Sequence, residues 1–302
     1  MKGWTLYKDL SASLKPEVYE VNRFIEEASE NGIEVQEFKP EQFDLIVTKE
    51  DRKGILIDGE TATLPDFLLP RMGANTTYFA LAVIRHLERL GVHSFNSSQS
   101  IDTVKDKLFT QQILAENNLP VPNTMMVKFP VNVDLVESHL GFPVVVKTLS
   151  GSQGIGVFLI DSKSNFEDLM QLIEETNSKA NIILQECISS SRGRDLRVIT
   201  IGGRVVACME RKARRGKFRA SYSRGGSVKQ FDVTPEIEWL ATETSRILGL
   251  DIAGIDLLFD GGHFKVCEAN SAPGFEGLEK CCNVNIPQRI YDFIRLRLDM
   301  LK

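Results

Sequence analysis

Long apolar segments are absent from this sequence. None of its 302 residues belongs to an apolar run approaching the roughly 18 residues that cross a bilayer. Residues 1–13, which include Lys2, Lys8 and Asp9, also lack the apolar stretch of a signal peptide. We therefore expect a cytoplasmic protein without a membrane partner.

Cysteines at the short spacings of metal or redox sites are also absent. The five cysteines are an odd number, and no two of them have C-x-x-C spacing. This usage indicates reduced thiols in a cytoplasmic protein rather than a disulfide framework. The residues are Cys187, Cys208, Cys267, Cys281 and Cys282.

Several motifs that would assign a chemistry directly are missing. There is no G-x-x-x-x-G-K-[ST] segment, which excludes a Walker-type phosphate loop, and the H-R-D and D-F-G segments of kinases are missing as well. The four histidines are scattered, without an H-E-x-x-H segment or a Cys/His cluster, which disfavours zinc. The net charge of -5 gives no overall attraction to nucleic acid, so any anion site must be local.

The composition and pattern of the chain predict several packed units of mixed structure. Apolar residues make up 42% of the 302 residues, which suits two or three units that build their own cores. Strand and helix patterns alternate over residues 1–96, whereas 97–184 and 185–302 combine hairpins with helices. We expect an α/β domain of nucleotide-binding style followed by two α+β units with these boundaries.

Lys147 ends an apolar strand pattern, and a glycine-rich segment follows it, Gly151-Ser-Gln-Gly154-Ile-Gly156. A lysine within such a strand needs an anionic partner, unless it lies at the strand end and reaches solvent. The glycines would let backbone N–H groups approach a phosphate, as in a lid between two strands. A hairpin turn without a ligand explains the same glycines, so the pattern alone leaves both interpretations open.

Three oxygen-bearing side chains interrupt two strands that otherwise look like core: Asp256, Glu268 and Asn270. Glu268 and Asn270 are two residues apart and share a face. If residues 261–263 form a three-residue hairpin loop, Asp256 lies opposite Glu268, and two bare carboxylates would repel each other. A divalent cation such as Mg²⁺ or Mn²⁺ removes the conflict. The alternative is a structural acid bonded to backbone beside a solvated one.

Positive charge is concentrated in one segment of this net-acidic chain. Between Arg204 and Arg224, eight residues are Lys or Arg and only Glu210 is acidic. The concentration favours an anion site over a solvated face, because arginines can clamp a phosphoryl group and a carboxylate together. The eight residues are Arg204, Arg211, Lys212, Arg214, Arg215, Lys217, Arg219 and Arg224.

In their order along the chain, these features resemble the ATP-grasp superfamily and, within it, the RimK-type α-L-glutamate ligases, over nearly the whole length. Each motif alone is weak, but the joint order and spacing are specific. The segments are Leu69-Pro-Arg-Met-Gly73, Asp106-Lys107, Val145-Val-Lys147, Gly154-Ile-Gly156, Leu184-Gln-Glu186, Gly193-Arg-Asp-Leu-Arg197, Phe218-Arg219, Arg224-Gly-Gly226, Ala253-Gly-Ile-Asp256 and Glu268-Ala-Asn-Ser-Ala-Pro-Gly274.

The resemblance implies an ATP-grasp fold behind an N-terminal Rossmann-like (pre-ATP-grasp) domain, with ATP bound between the two α+β subdomains. It implies that Lys107 and Lys147 contact ATP phosphates and that Arg211 and Lys147 are catalytic. It also implies that the backbone at Glu186 and Cys187 holds the adenine edge and that Asp195 contacts the ribose. The family often has an asparagine where this chain has Ser221. The further nucleotide contacts implied are Gly154, Gly156, Gln185, Glu186, Cys187, Asp195, Arg219, Ala220 and Ser221, and the implied ligands of two Mg²⁺ or Mn²⁺ ions are Asp256, Glu268 and Asn270.

The activity implied by the resemblance is an ADP-forming ligation of a carboxylate to an amine through an acyl phosphate. We expect L-glutamate or another amino acid as the donor, an acidic small molecule or the C-terminus of a peptide or protein as the acceptor, and a homo-oligomer. One alternative is a catalytically inactive nucleotide-binding regulatory protein. Another is a relative that forms a thioester or phosphorylates its substrate.

Overall fold

The computed structural model describes residues 1–7, 17–49, 54–73, 76–148, 156–214, 218 and 225–300, without the side chains of residues 17 and 18. In these ranges every helix is too short or too polar to cross a membrane. All five cysteines are free thiols, as the sequence predicts.

The N-terminal unit is built around a parallel sheet. Its elements are β1 (Lys2–Leu6), α1 (Glu17–Glu30), β2 (Glu34–Phe38), β3 (Phe43–Leu45), β4 (Ile55–Ile57), β5 (Glu60–Thr61), β6 (Phe67–Pro70), α2 (Tyr78–Arg89) and β7 (His93–Ser94). The parallel sheet has the order β2-β1-β6-β7, and β3, β4 and β5 form a small antiparallel sheet. Alternate residues of the parallel strands pack against α1 on one face and α2 on the other.

The central unit is an antiparallel sheet with helices packed on it. Its elements along the chain are α3 (Ser98–Lys105), α4 (Lys107–Glu116), β8 (Thr124–Val127), α5 (Val133–Leu140), β9 (Val144–Thr148), β10 (Val157–Ile160), α6 (Lys163–Asn177) and β11 (Ile182–Glu186). Helices α3 and α4 bury Val104 and Leu114 in the core of the C-terminal unit instead of on this sheet. The sheet order is β10-β9-β11-β8. Val136 of α5 and Phe166 of α6 are buried against Val144 and Leu184, so these helices close one face of the sheet.

A five-stranded antiparallel sheet forms the C-terminal unit. Its elements are β12 (Arg194–Ile201), β13 (Arg204–Lys212), β14 (Ser227–Gln230), α7 (Pro235–Ile247), β15 (Ile252–Asp260), β16 (His263–Asn270), α8 (Glu276–Cys282) and α9 (Ile286–Asp299). The sheet order is β14-β13-β12-β15-β16. One face packs on α7, while apolar residues of the other face share a core with α1, α8 and α9.

The two ends of the chain therefore pack together. Phe24 of α1 makes edge contacts with Phe275 and with Tyr291 of α9, at centroid distances of 5.5 and 5.9 Å. Asn96, which is fully buried, adds polar contacts to the same junction. Its Nδ2 donates to the carbonyls of Ile252 (2.7 Å) and Ser271 (2.8 Å), and its Oδ1 accepts from the backbone N–H of Ile252 (2.9 Å).

The elements differ from the sequence expectations in a few places. The sequence pattern predicts a single helix over 105–117, but Asp106 ends α3 and caps α4 by accepting from the N–H groups of Leu108 and Phe109. Strands β8 and β14 are not predicted, because both are sheet edges without a fully buried residue and hence without a clear apolar alternation. Strand β11 crosses the boundary expected between residues 184 and 185 and pairs within the central sheet.

Replacing Asn96 by leucine should destabilise the protein by about 3 kcal/mol or more, because three buried backbone groups lose their partners. The free energy of unfolding in urea measures this loss. Asn117→Ala is the control, since Asn117 makes one exposed hydrogen bond to the Ile113 carbonyl at 2.8 Å. Equal losses in the two variants would mean that Asn96 does not hold the junction.

Candidate active site

One face of the C-terminal sheet carries a row of charged side chains that crosses four strands. Arg211 of β13 is the register partner of Asp195 of β12, and Arg197 of β12 is the partner of Asp256 of β15. Asp256 in turn lies opposite Glu268 of β16. Asp195 and Arg197 are two residues apart, so their side chains project from the same face. We call these five residues the charged row.

Asp256 and Glu268 therefore lie opposite each other as expected, although the turn length and the register of the hairpin differ from the expectation. The turn contains two residues, Gly261 and Gly262, instead of three, and both have positive φ. This backbone is the one that tight hairpins favour. A bulge at Cys267 adds one residue to β16 and restores the opposition that the two-residue turn alone would have shifted.

Four members of the row form a continuous ion network. Arg197 Nε and Nη2 donate to the two carboxylate oxygens of Asp256 at 2.8 and 2.7 Å. Arg211 Nε and Nη2 donate in the same way to Asp195 at 2.7 and 2.9 Å. Arg211 Nη2 also lies 3.0 Å from Asp256 Oδ2, which joins the two pairs. Two arginines and two aspartates thus neutralise each other in a nearly dry setting.

Burial and charge shift the pKa values of this network in opposite directions. Burial raises the pKa of the Asp195 carboxyl to about 6, although Arg211 opposes the shift. Burial also disfavours ionised Asp256, but Arg197 and Arg211 together outweigh it and hold the pKa of this carboxyl below its usual value. Burial disfavours the Arg211 guanidinium, yet Asp195 and Asp256 raise its pKa well above the ordinary value. Arg211 therefore stays charged at any physiological pH.

Arg197 is a member of this site that the sequence reasoning did not select. It stands in an apolar strand at the spacing of two from Asp195, and this was the available signal. Its partner Asp256 lies 59 residues further along the chain, so only the strand register reveals the pair.

Two lysines approach the Glu268 end of the charged row from the central unit. Lys107 Nζ lies 3.9 Å from Glu268 Oε1, and Lys147 Nζ lies 3.8 Å from the Sγ of Cys267. Both lysines line a small cavity together with Gln185 and Glu268. Lys107 is in the first turn of α4, where a cation opposes the helix dipole. The unfavourable interaction of Lys107 with the helix dipole is offset when an anion lies near its ammonium group.

The residues expected at the adenine edge lie at the end of β11 beside this cavity. Gln185 is buried, and its Nε2 donates to Thr124 Oγ1 at 2.9 Å. The Glu186 carboxylate accepts from Lys265 Nζ at 2.7 Å and from the N–H of Asn123 at 2.9 Å, which fixes its side chain away from the strand ladder. Cys187 is half-buried, and burial raises the pKa of its thiol.

Several expected site residues lie outside the described residues: Gly154 of the lid, and Arg219, Ala220 and Ser221. Gly156 is described, has a φ of 77°, and closes onto β9 through its carbonyl, which accepts from the N–H of Thr148 at 2.9 Å. A side chain at this position would overlap Thr148, so the turn itself requires glycine here.

Two domain families match this chain in sequence. The RimK-like ATP-grasp domain matches residues 104–294, and the RimK PreATP-grasp domain matches residues 11–101. A protein of Hydrogenovibrio crunogenus named "Probable alpha-L-glutamate ligase" is 38% identical over 287 residues, which are 93% of either chain. The chain belongs to the RimK-type ATP-grasp family. It is an ATP-dependent ligase, as the sequence resemblance predicts, and the inactive regulatory alternative is not supported.

Solved structures confirm the expected ATP-grasp fold of this RimK-type protein. The ATP-grasp ligase PsnB, complexed with minimal precursor, Mg and ADP, aligns with a TM-score of 0.74 and 18% identity over 98% of each chain. D-alanine–D-alanine ligase from Bacillus anthracis, complexed with ATP, gives a TM-score of 0.72 and 19% identity over 100% of this chain and 98% of that one. At these identities the likeness concerns the fold alone.

The donor set of Asp256, Glu268 and Asn270 fits a hard divalent cation. All three side chains offer oxygen, and Asn270 donates its Nδ2 to the Gly254 carbonyl at 3.3 Å, which leaves Oδ1 for a cation. The described residues contain no cluster of three or more His, Cys, Asp and Glu side chains suited to a metal. The proposed set therefore contains three metal ligands only if the carboxamide of Asn270 is one of them.

Asp256 can serve a cation without leaving its arginines. A carboxylate has about four lone-pair positions. The described contacts use one on Oδ1, for Arg197 Nε, and two on Oδ2, for the Nη2 groups of Arg197 and Arg211. One position on Oδ1 therefore remains, and single-oxygen coordination is compatible with the intact network.

The basic segment 204–224 is less positive than its sequence suggests. Two of its cations, Arg211 and Lys212, face acids, because Asp195 and Asp256 neutralise Arg211 and Glu210 lies 3.6 Å from Lys212 Nζ. Arg214 is exposed, and its Nε donates to the Gly225 carbonyl at 2.9 Å. Arg215, Lys217, Arg219 and Arg224 are outside the described residues. Asp195 and Asp256 lie on neighbouring strands outside this segment, so a count of charges along the segment does not include them.

Replacing Arg197 by methionine should destabilise the RimK-type protein by about 3 to 5 kcal/mol, because it leaves two buried carboxylates with one guanidinium. Unfolding in urea at pH 7 measures the change. Adding Asp256→Asn to this variant should restore part of the loss, since the unpaired charge is then gone.

Arg246→Met is the matched control for this experiment. Arg246 also grips a carboxylate with two nitrogens, that of Glu243, but its side chain is 68% exposed. Water replaces such a pair, so this variant should unfold almost like the parent. Similar behaviour of the buried and exposed variants would contradict a dry network.

Proposed function

We propose that this RimK-type ligase joins a carboxylate of an acidic acceptor to the amine of an amino acid, with ATP converted to ADP through an acyl phosphate. The observation that supports this most is the arrangement at one cavity of two lysines, Lys107 and Lys147, facing the carboxylate end of the charged row. Phosphoryl transfer depends on such positioned charge far more than on a covalent residue.

In this proposal Lys107 and Lys147 bind the phosphates of ATP, and the strand end at Gln185, Glu186 and Cys187 holds the adenine. Asp195 contacts the ribose in the sequence expectation, but its carboxylate is engaged by Arg211. We therefore assign Asp195 the role of orienting Arg211. Gly154, Gly156, Arg219, Ala220 and Ser221 complete the expected nucleotide site.

Arg211 has donors left for the reacting group. A guanidinium carries five N–H donors. In the described contacts Nε and Nη2 of Arg211 serve Asp195 and Asp256, which leaves the two N–H groups of Nη1. These groups, held in a fixed direction by the aspartates, stabilise the charge of the acyl phosphate.

We propose two divalent ions, Mg²⁺ or Mn²⁺, and their protein ligands would be Asp256, Glu268 and Asn270. Bound there, the metal neutralises charge on the ATP phosphates. The ligase PsnB is described with Mg and ADP, which supports Mg²⁺ as the first ion to test.

The chemical steps follow from these placements. An oxygen of the acceptor carboxylate forms a bond to the γ-phosphorus while the bond to the bridging β–γ oxygen breaks, and ADP leaves. The amine then forms a bond to the acyl carbon, loses a proton, and phosphate leaves with the electrons of the broken C–O bond. Amide formation separates this function from thioester formation and from simple phosphorylation.

The donor we propose is L-glutamate, and the acceptor is an acidic small molecule or the C-terminus of a peptide or protein. The name of the Hydrogenovibrio relative supports glutamate, and PsnB complexed with the precursor peptide PsnA2 supports a peptide. Arg214, which is exposed and follows Arg211 by three residues, supports an anionic acceptor.

The direct test is an incubation of the full chain with ATP, Mg²⁺, L-glutamate and short peptides that end in glutamate. ADP release that requires both organic substrates, with an amide product found by mass spectrometry, is the expected result. Hydroxylamine in place of the amino acid should yield a hydroxamate, which reports the acyl phosphate. Release of ADP without any amide across a wide panel of acids and amines would overturn the proposal.

Glu268→Gln and Asp256→Asn should each lower kcat by at least about 100-fold, because each change removes charge that holds the metal against ATP. Mg²⁺ with an ATP analogue should raise the melting temperature of the parent but not of these variants.

Asp260→Asn is the control for these two variants, since Asp260 lies on the same strand but at its far end, 3.4 Å from Lys265. It should keep both the activity and the thermal shift. Near-parental turnover of both site variants at saturating Mg²⁺ would show that the two carboxylates are structural.

A further inference from the structure

In the N-terminal sheet, the chain segments that follow the neighbouring strands β1 and β6 run to opposite sides of the sheet. Helix α1 follows β1 and leads to β2 on one side, whereas α2 follows β6 and leads to β7 on the other. The two helices also cover opposite faces. Open parallel sheets bind ligands in the crevice beyond the carboxyl ends of such strands.

Three polar side chains lie near each other at the carboxyl ends of these strands, since the charges of Arg71 and Glu37 both act on the Tyr7 hydroxyl. Tyr7 and Arg71 directly follow β1 and β6, and the N–H of Arg71 donates to the Leu6 carbonyl at 2.9 Å. Glu37 lies on β2, opposite Thr5. Alternation along the strands places Tyr7, Glu37 and Arg71 on the same face, the one covered by α1. We call these three residues the switch-point cluster.

Two atoms of the switch-point cluster lack partners among the described residues. Tyr7 is only 4% exposed, and its hydroxyl makes no hydrogen bond to the part of the chain that the structure describes; the buried Oε1 of Glu37 makes none there either. Buried polar atoms in native proteins are nearly always bonded, so such exceptions need a reason. Tyr19 on α1 shows the usual condition, since its hydroxyl donates to Glu279 at 2.7 Å.

The cluster combines both signs of charge. Arg71 is half-buried, its guanidinium stacks on Phe24 and Phe275 at 5.3 and 5.9 Å, and its Nη2 donates to the Pro273 carbonyl at 2.6 Å. A guanidinium with five donors has capacity beyond this contact. Glu20, the other acid nearby, accepts from the N–H of Phe275 at 3.0 Å with one carboxylate oxygen, and its charge acts on Arg71. Glu37 adds a second acid, whose Oε1 has no partner among the described residues.

The crevice also borders the candidate active site. Pro273, which Arg71 holds, follows the expected metal ligand Asn270 by three residues. The loop that leads away from β16 therefore forms one wall of the crevice. A small molecule bound at the cluster would lie next to the strand end that carries Glu268 and Asn270.

We infer that the switch-point cluster is the binding subsite for the free α-amino acid donor. Arg71 binds the α-carboxylate, and Glu37 and the hydroxyl of Tyr7 bind the α-amino group. An α-amino acid carries a carboxylate and an ammonium a few ångströms apart, which matches a site where a guanidinium and acidic side chains lie together. An acceptor that brings only carboxylates would meet repulsion from Glu37. The inference rests on the proposed ligase function for the role of the bound molecule.

The first test is direct binding of L-glutamate to the full chain in the presence of Mg²⁺ and a non-hydrolysable ATP analogue, followed by calorimetry. Glu37→Gln should weaken the binding about tenfold and Tyr7→Phe about fivefold, because each removes one bond to the amino group. Affinity for the ATP analogue should stay within about twofold in both variants.

Matched controls separate binding from folding. Glu34→Gln changes an exposed acid on the same strand, and Tyr19→Phe removes a hydroxyl that already has a partner. Neither should alter glutamate binding. Tyr7→Phe should leave the melting temperature of the ligand-free protein unchanged or raise it, whereas Tyr19→Phe should lower it, because only Tyr19 loses a hydrogen bond.

Steady-state kinetics provide the second test. The KM for glutamate should rise in Glu37→Gln and Tyr7→Phe, with the KM values for ATP and acceptor unchanged. A rise in the acceptor KM instead would assign the crevice to the acceptor and overturn the inference. Unaltered glutamate affinity in both variants, or no binding of any free amino acid to the parent, would overturn it too.

These outcomes are separable from those of the proposed function. Binding by calorimetry needs no turnover, so glutamate that binds and is weakened by Tyr7→Phe supports the subsite even if no amide forms. Ligation with unchanged constants in both variants leaves the ligase function standing and removes the subsite.

Discussion

The arginine–aspartate network at the centre of the C-terminal sheet constrains the rest of this structure. Burying four charges is tolerable only because Asp195, Arg197, Arg211 and Asp256 sum to zero and share short, directed hydrogen bonds. The partners come from three adjacent strands in register. A slip of one residue in any strand would turn a charge to the opposite face and leave its partner buried and alone. The network therefore fixes the register of β12, β13 and β15, and its member Asp256 is the residue that lies opposite Glu268 of β16.

The same face of the sheet determines where the N-terminal domain sits. Beyond the charged row this face becomes apolar, with Ile199 and Met209 in the core shared by α1, α8 and α9. The N-terminal domain thus packs on the apolar part, and its polar contacts reach the loop after β16 through Arg71 and Asn96. One continuous face therefore joins the charged row to the carboxyl edge of the parallel sheet.

Some of this site follows from sequence because it rests on local rules. Two acids in core-like strands around a glycine turn are enough to pair Asp256 with Glu268, and the motif order is enough to find the family. The turn length was wrong by one residue, and the bulge at Cys267 compensated for it. Bulges depend on packing across the whole sheet, which no short pattern contains. The break between α3 and α4 at Asp106 was not predicted for a related reason, because the apolar helical pattern continues across it.

Arg197, the site residue that the sequence reasoning did not select, illustrates a more general limit of prediction from sequence. An arginine in an apolar strand has a plain interpretation as an edge residue, and its true partner is set by strand order rather than by distance in sequence. Part of the positive charge counted in segment 204–224 is balanced in the same way, because Asp195 and Asp256 neutralise Arg211 from other strands. Charges are balanced in space, so a count along the chain overestimates the charge that remains for a ligand.

This balance has a consequence for how the site could hold an anion. The four-residue network is neutral, so the net positive charge near Glu268 comes from Lys107 at the start of α4 and Lys147 on β9. The network contributes N–H donors with a fixed direction, and the two lysines contribute electrostatic attraction. Neither the network nor the lysines alone combine both properties. We therefore expect a phosphate chain to be bound well only where the charged row and these two lysines face each other.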